Sequence, residues 1–148
     1  MILSDVINKN AVQVNMPAND KAQALTMLAD LLYQDGAIND KDGFINDVYH
    51  RENEGKTGIG GFIAIPHGKS AYVNHTCIAI GLLDRPILWE SLDGNPVKVI
   101  ILFAVNTKDK NDYFVKMMSQ VARMLGKEDV CEQLISATST EELLSIFK

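Results

Sequence analysis

Hydrophobic positions along the chain follow the spacing of strands and of helices in turn. Residues 12–14 alternate between apolar and polar, which is typical of a short strand. Apolar residues three and four positions apart then predict a helix that begins after Asn19 or Asp20 and ends near Gly36. A second helix with the same spacing follows and gives way to a loop at Gly55. This first part of the chain therefore combines a strand with two amphipathic helices.

Three apolar runs in the middle of the chain predict further strands. The first, residues 62–65, should end at Pro66, because proline has no amide proton to donate to a sheet. Residues 76–83 are apolar on both faces, as in a strand buried inside a sheet. Residues 97–105 have the same character and follow a turn at residues 93–96.

Helical patterns return after the last of these strands. A long helix is predicted from Asn111, and a short one around residues 130–135. A last helix follows Ser139, which forms a capping box with Glu142. Because strands and helices are interleaved, the sequence predicts an α/β fold: a single mixed β-sheet flanked by helices on both faces.

Composition and charge narrow the class of protein. The chain has 148 residues, 47% hydrophobic and 22% charged, which fits one domain over residues 1–148. The net charge of −5 argues against nucleic-acid binding, which usually needs a basic face. No apolar run approaches the roughly 18 residues of a membrane helix, and the N-terminal residues lack the pattern of a secretory signal. We therefore expect a cytoplasmic protein that is not inserted in a membrane.

Among the three histidines of the chain, His67 is the candidate for chemistry. It follows Pro66, where the predicted strand ends, and it precedes Gly68. A sheet holds such a side chain rigidly while the adjoining loop exposes it. Gly68 would let a ligand approach the imidazole and the neighbouring backbone. A neutral imidazole is also a good nucleophile near neutral pH, so this segment is a candidate active site.

The segment GFIAIPHGKS, residues 61–70, resembles the phosphorylation-site motif of the fructose/mannitol family of enzyme IIA domains in the bacterial phosphotransferase system. The preceding segment RENEGKTGIG, which contains Arg51 and Thr57, is similar to the family as well. So are LDGNPVKVIILFAV and the helix that ends in SQVARML. The resemblance thus extends over nearly the whole chain.

The resemblance implies a phosphotransferase with a phosphohistidine intermediate, a component of phosphoenolpyruvate-dependent sugar uptake. His67 would accept a phosphoryl group from the phosphocarrier protein HPr and pass it to a sugar-specific enzyme IIB. No cofactor is expected, because HPr brings the phosphoryl group. Arg51 would stabilise that group, since a guanidinium offers paired donors and a permanent charge. The Thr57 hydroxyl and Gly68 are further binding candidates.

One position departs from the family pattern. Many members carry a second histidine at the start of the long helix, and the alignment of SQVARML places Phe114 there. Phe114 also fits the apolar stripe of that helix, which favours a packing role. Lys108, Lys110 or the helix N-terminus at Asn111 are candidates to supply the missing positive potential.

Two alternatives to sugar transport stay open. In the first, the chain is a regulatory module of the same fold, and the phosphorylation state of His67 controls binding to a target protein. In the second, His67, His75 and Cys77 hold a metal ion. A zinc site needs three or four convergent ligands, and no further ligand stands at a supporting spacing, so no metal is expected.

Overall fold

The structure, a computed structural model, describes residues 2–127 and 129–148. Its helices and strands alternate much as the sequence predicts. In chain order they are α1 (Leu3–Val6), β1 (Ile7–Met16), α2 (Lys21–Gln34), α3 (Lys41–Glu52), β2 (Gly58–Gly60), β3 (Ile63–Ala64), β4 (His67–Ser70), β5 (Cys77–Ile87), β6 (Val97–Asn106), α4 (Asn111–Leu125), α5 (Val130–Ser136) and α6 (Thr140–Ile146).

The strands form one mixed sheet, as predicted. Its order is β1-β5-β6-β3-β2, and β4 pairs with β6 beyond β3. Strand β1 is parallel to β5, and β3 and β4 are parallel to β6, whereas β5 is antiparallel to β6. The two central strands, β5 and β6, are the most apolar, because side chains on both of their faces are buried.

Helices cover both faces of the sheet, which confirms the predicted layering. Helices α2 and α3 pack on one face, and α1, α4, α5 and α6 pack on the other. The alternation of side chains along β6 divides the two cores. Ile100, Leu102 and Ala104 face the first core, whereas Val99, Ile101, Phe103 and Val105 face the second.

Polar side chains cap the N-termini of α2 and α6, as the sequence predicts. The Asp20 carboxylate accepts a hydrogen bond from the Gln23 amide at 2.8 Å, and Ser139 Oγ accepts one from the Glu142 amide at 3.1 Å. Among the described residues, no helix combines the length and the apolar character that crossing a membrane would require.

The strand before Pro66 ends as predicted, but the chain pairs with β6 again after the proline. Strand β3 ends at Ala64, and β4 begins at His67 and pairs with β6 in the same register as β3. The Pro66 carbonyl accepts a hydrogen bond from the Phe103 amide at 3.0 Å. In a parallel pair the amide and the carbonyl of one residue face the same neighbouring strand, so the missing amide proton of Pro66 also faces β6, and the ladder is interrupted there. Among the described residues β4 has β6 as its single strand partner. His67 is therefore the first residue of an edge strand.

Candidate functional site

The His67 side chain lies on the sheet face that α4 covers. His67 pairs with Phe103 in the register of β4 and β6, so the two side chains share that face. The imidazole centroid is 5.1 Å from that of Phe114, with the rings inclined by 48°. Phe114 in turn meets Phe103 edge to face at 6.2 Å. Phe114, itself packed against Phe103, thus contacts the imidazole on one side.

The other side of His67 opens on a cleft of about 310 Å³. The cleft lies at the free edge of β4, between the C-terminal part of α3 and the start of α4. Its lining combines an apolar floor with charged walls from both helices and from β4. The lining residues are Asp47, His50, Arg51, Glu54, His67, Lys69, Val105, Asn111 and Phe114.

The environment of His67 favours a neutral imidazole. Burial lowers the pKa of His67 below its ordinary value, and the positive charge of Arg51 lowers it further. The Ile65 carbonyl and the carboxylates of Glu52 and Glu54 oppose this shift without cancelling it. The Nδ1 atom is buried and, within the described residues, has no hydrogen bond of good geometry. The lowered pKa thus favours a neutral ring, and the burial of Nδ1 leaves Nε2 as the nitrogen for a ligand in the cleft.

Arg51 lines the same cleft from the last turn of α3. Its Nη1 donates a hydrogen bond to the Gly55 carbonyl at 3.2 Å, which holds the half-buried side chain against the loop that follows the helix. The C-terminal end of a helix carries partial negative charge, so α3 stabilises the guanidinium at this position. Arg51 and His67 are therefore brought together, as the sequence led us to expect.

Thr57 lies behind this cleft, among polar groups that are themselves buried. Its hydroxyl donates to Glu52 Oε1 at 2.9 Å and accepts from Trp89 Nε1 at 2.9 Å. The same Glu52 oxygen lies 2.5 Å from Lys21 Nζ. Because the single hydroxyl proton of Thr57 is used by Glu52, the structure gives Thr57 a supporting contact. Direct binding of a ligand by its hydroxyl stays a prediction.

Gly68 faces away from the cleft. A Cβ at this position would lie 2.7 Å from Val48 Cγ2 and 3.0 Å from Phe44 Cε1. The glycine thus allows α3 to pack closely against β4. Its predicted role in admitting a ligand stays a prediction, whereas its role in helix packing is evident from these distances.

The lysines near the cleft are not those that the sequence suggested. Lys108 and Lys110 lie outside its lining, and Lys110 borders a separate depression with Asp112. The cleft instead contains Lys69, two residues after His67 on β4, together with Asn111 at the start of α4. Side chains two positions apart on a strand lie on the same face. A strand predicted after Pro66 would therefore have placed Lys69 beside His67.

The structure does not assemble the alternative metal site. Cys77 pairs with Ala104, so its side chain lies on the sheet face opposite to His67. His75 is exposed and borders a different depression with Asp35 and Cys77. Across residues 2–127 and 129–148, no three potential metal-ligating side chains lie close enough to share an ion.

The sequence of the chain is similar to those of known proteins. The family model described as phosphoenolpyruvate-dependent sugar phosphotransferase system, EIIA 2, matches residues 5–148. A fructose-specific EIIABC component from Bacillus subtilis is 29% identical over 99% of this chain, which spans only 23% of that relative's length. A nitrogen regulatory protein from Klebsiella oxytoca is 31% identical over 97% of this chain and 88% of the relative.

Solved structures with low sequence identity share the fold. The nitrogen regulatory protein IIA-Ntr from Neisseria meningitidis superposes with a TM-score of 0.90 at 22% identity, with full coverage of both chains. A complex of enzyme IIA-Mtl with phosphorylated enzyme IIB-Mtl from Escherichia coli gives a TM-score of 0.79 at 18% identity, covering 95% of this chain and 96% of that one. Since the family model extends over almost the entire sequence, the chain belongs to the type 2 enzyme IIA family of the phosphoenolpyruvate-dependent sugar phosphotransferase system.

Proposed function

We propose that this chain is a phosphocarrier that accepts a phosphoryl group from HPr on His67 and passes it to a sugar-specific enzyme IIB. The observation that carries the proposal is a half-buried histidine with a lowered pKa, open on one side to a cleft that also contains Arg51. The relative named as a fructose-specific component and the solved IIA–IIB complex support it. The proposal places the chain in the cytoplasm, as the sequence predicted.

The geometry favours Nε2 of His67 as the nucleophile, because Nδ1 is buried. The Nε2 lone pair forms the new bond to phosphorus while the bond from phosphorus to the donor breaks, its electron pair remaining with the donor. The lowered pKa keeps this lone pair available near neutral pH, so no separate base is needed. The same exchange in reverse delivers the phosphoryl group to enzyme IIB.

Arg51 performs two tasks in this scheme. Before transfer, its charge lowers the pKa of His67 and keeps the ring neutral. During transfer, its guanidinium compensates the negative charge of the phosphoryl oxygens, which is the main demand of phosphoryl transfer. The scheme requires no cofactor, because the donor protein supplies the reacting group.

The experiment combines the purified chain with phosphoenolpyruvate, enzyme I and HPr and measures its intact mass. We expect one added phosphoryl group that acid removes. We expect none on His67→Ala, while His75→Ala, which changes an exposed histidine outside the cleft, should be phosphorylated normally. Phosphorylation that persists in His67→Ala would overturn the assignment.

The role of Arg51 is tested by the rate of the same reaction. Arg51→Ala should slow transfer by about tenfold or more, since charge-assisted hydrogen bonds contribute about 1.5–3 kcal/mol. Arg51→Lys should recover part of the rate, because a lysine keeps the charge and loses the paired donors. Arg123→Ala, on the exposed side of α4, is the matched control. A rate for Arg51→Ala equal to that of the control would remove Arg51 from the site.

A regulatory role is the second candidate. It is favoured by the Klebsiella oxytoca relative, which is named a nitrogen regulatory protein and matches this chain over most of its length. In this function His67 is phosphorylated in the same way, but the phosphorylation state controls binding to a target protein. The two functions differ in the acceptor: transfer of label from the phosphorylated chain to an enzyme IIB supports transport. Failure of that transfer, with a target protein bound in one phosphorylation state only, supports regulation.

A further inference from the structure

Lys69 is the lysine that the fold places beside His67. Both residues belong to β4 and, being two positions apart, lie on the same face of the strand. Their Cα atoms are therefore about 7 Å apart, within the reach of a lysine side chain. Both line the cleft, where His67 is half-buried and Lys69 is exposed at the mouth.

The ammonium group of Lys69 is held by a neutral partner. Its Nζ donates to Asn111 Oδ1 at 2.5 Å, which joins β4 to the first residue of α4 across the mouth of the cleft. Among the described residues, no carboxylate lies within ion-pair distance of Lys69, in contrast to Lys21 and Lys41. An amide oxygen is a weaker acceptor for an ammonium group than an anionic oxygen is. The contact with Asn111 is therefore one that an anion in the cleft can replace.

Because Phe114 stands next to His67, a cation that binds the phosphoryl group on this side must come from another residue. The ring of Phe114 contacts the imidazole of His67 but has no group that can bind a phosphoryl oxygen. Arg51 approaches the cleft from α3, and among the described residues of the lining Lys69 is the one other lysine or arginine. Lys108 and Lys110, the other lysines near the start of α4, lie outside the lining.

We propose that Lys69 is a second phosphoryl-binding residue, whose ammonium group moves from Asn111 Oδ1 to the phosphoryl oxygens once His67 is phosphorylated. This inference rests on the proposed phosphorylation of His67. Lys69 keeps its protons throughout, so the only covalent change is the transfer of the phosphoryl group. The phosphoryl group then lies between two cations, Arg51 on α3 and Lys69 on β4, and the Asn111 amide is released at the rim of the cleft.

The test is the equilibrium between phosphorylated HPr and this chain, read from the intact masses of both proteins. Lys69→Met keeps the length of the side chain and removes the charge. We expect it to lower the equilibrium constant for phosphorylation about three- to tenfold, the range for a partly exposed charge-assisted contact. Lys69→Arg should restore most of the loss. Lys110→Met, an exposed lysine outside the cleft, should behave as the unmodified chain.

Two results separate this inference from the proposed function. If the unmodified chain takes up no phosphoryl group, the proposed function fails, and this inference fails with it. If the unmodified chain is phosphorylated on His67 and Lys69→Met gives the same equilibrium constant as Lys110→Met, only the role of Lys69 is overturned. Since Lys69 is exposed, we expect both methionine variants to fold, which their circular dichroism spectra will verify.

Discussion

The Thr57 hydroxyl gives the sharpest test of how the site is supported. A threonine hydroxyl can donate to a phosphoryl group, whereas in the structure the Thr57 hydroxyl donates to Glu52 and accepts from Trp89. Thr57→Val removes the hydroxyl and nearly preserves the shape of the side chain. Thr57→Ser keeps the hydroxyl and removes one methyl group. The two variants together separate the hydrogen bonds from the packing.

The structure sets the size of the effect. Thr57→Val leaves the Trp89 Nε1 proton without its acceptor in a side chain that is 7% exposed. It also removes one donor from Glu52, whose Oε2 is buried and already lacks a hydrogen-bond partner within the described residues. A buried donor left unpaired costs about 1–3 kcal/mol, and a hydrogen bond to a charged group contributes about 1.5–3 kcal/mol. We expect Thr57→Val to lower the free energy of unfolding by about 3 kcal/mol.

Urea unfolding and thermal melting measure this loss. For a domain of this size, about 3 kcal/mol corresponds to a fall in Tm of about 6–12 °C. Thr57→Ser should lose only about 1 kcal/mol, the value for one buried methyl group. Trp89 is the single tryptophan of the chain, so its fluorescence reports directly on this network. Equal stability of Thr57→Val and Thr57→Ser, with slower phosphoryl transfer in the valine variant, would refute the supporting role and favour direct binding.

Three further predictions follow from the site and the core. Nuclear magnetic resonance titration of His67 should give a pKa below 6.5, and Arg51→Ala should raise it only in part, because burial is the larger cause. This histidine then destabilises the fold as the pH falls from 6.5 towards its lowered pKa, since protons bind better to the unfolded chain. Gly68→Ala should lower the free energy of unfolding by about 1–3 kcal/mol through its clash with Val48, and Val48→Ala should relieve the clash in the double variant. Burial raises the pKa of the Cys77 thiol to about 11, so iodoacetamide at pH 8 should modify it far more slowly in the folded than in the unfolded protein.

The predicted elements that proved correct depend on local patterns. The helix capped by Asp20 and the buried strands β5 and β6 are recognisable from spacing and from runs of apolar residues. The strand that was predicted to end at Pro66 does end before it, because the proline has no amide proton to donate towards β6. The renewed pairing of β4 with β6 after the proline could not be predicted, because β6 lies more than thirty residues away in the sequence.

In the site, too, local motifs predict some residues, and contacts between distant segments determine the others. His67 and Arg51 belong to sequence motifs, so both were identified before the structure placed them in one cleft. The partners of Thr57 could not be predicted, because Trp89 reaches it from a distant loop. Lys69 could not be predicted for a related reason: its face is defined only once β4 is known to follow the proline.

Phe114 affects the free and the phosphorylated states of His67 differently. In the free state it packs against the imidazole, and the surrounding burial together with Arg51 keeps the ring neutral and nucleophilic. In the phosphorylated state it offers no donor, so the charge on the phosphoryl group must be balanced by Arg51 and, on our proposal, by Lys69. A phosphocarrier must bind the group firmly enough to accept it and loosely enough to release it. We therefore expect Lys69, an exposed and exchangeable cation, to set the balance between accepting the group and passing it on.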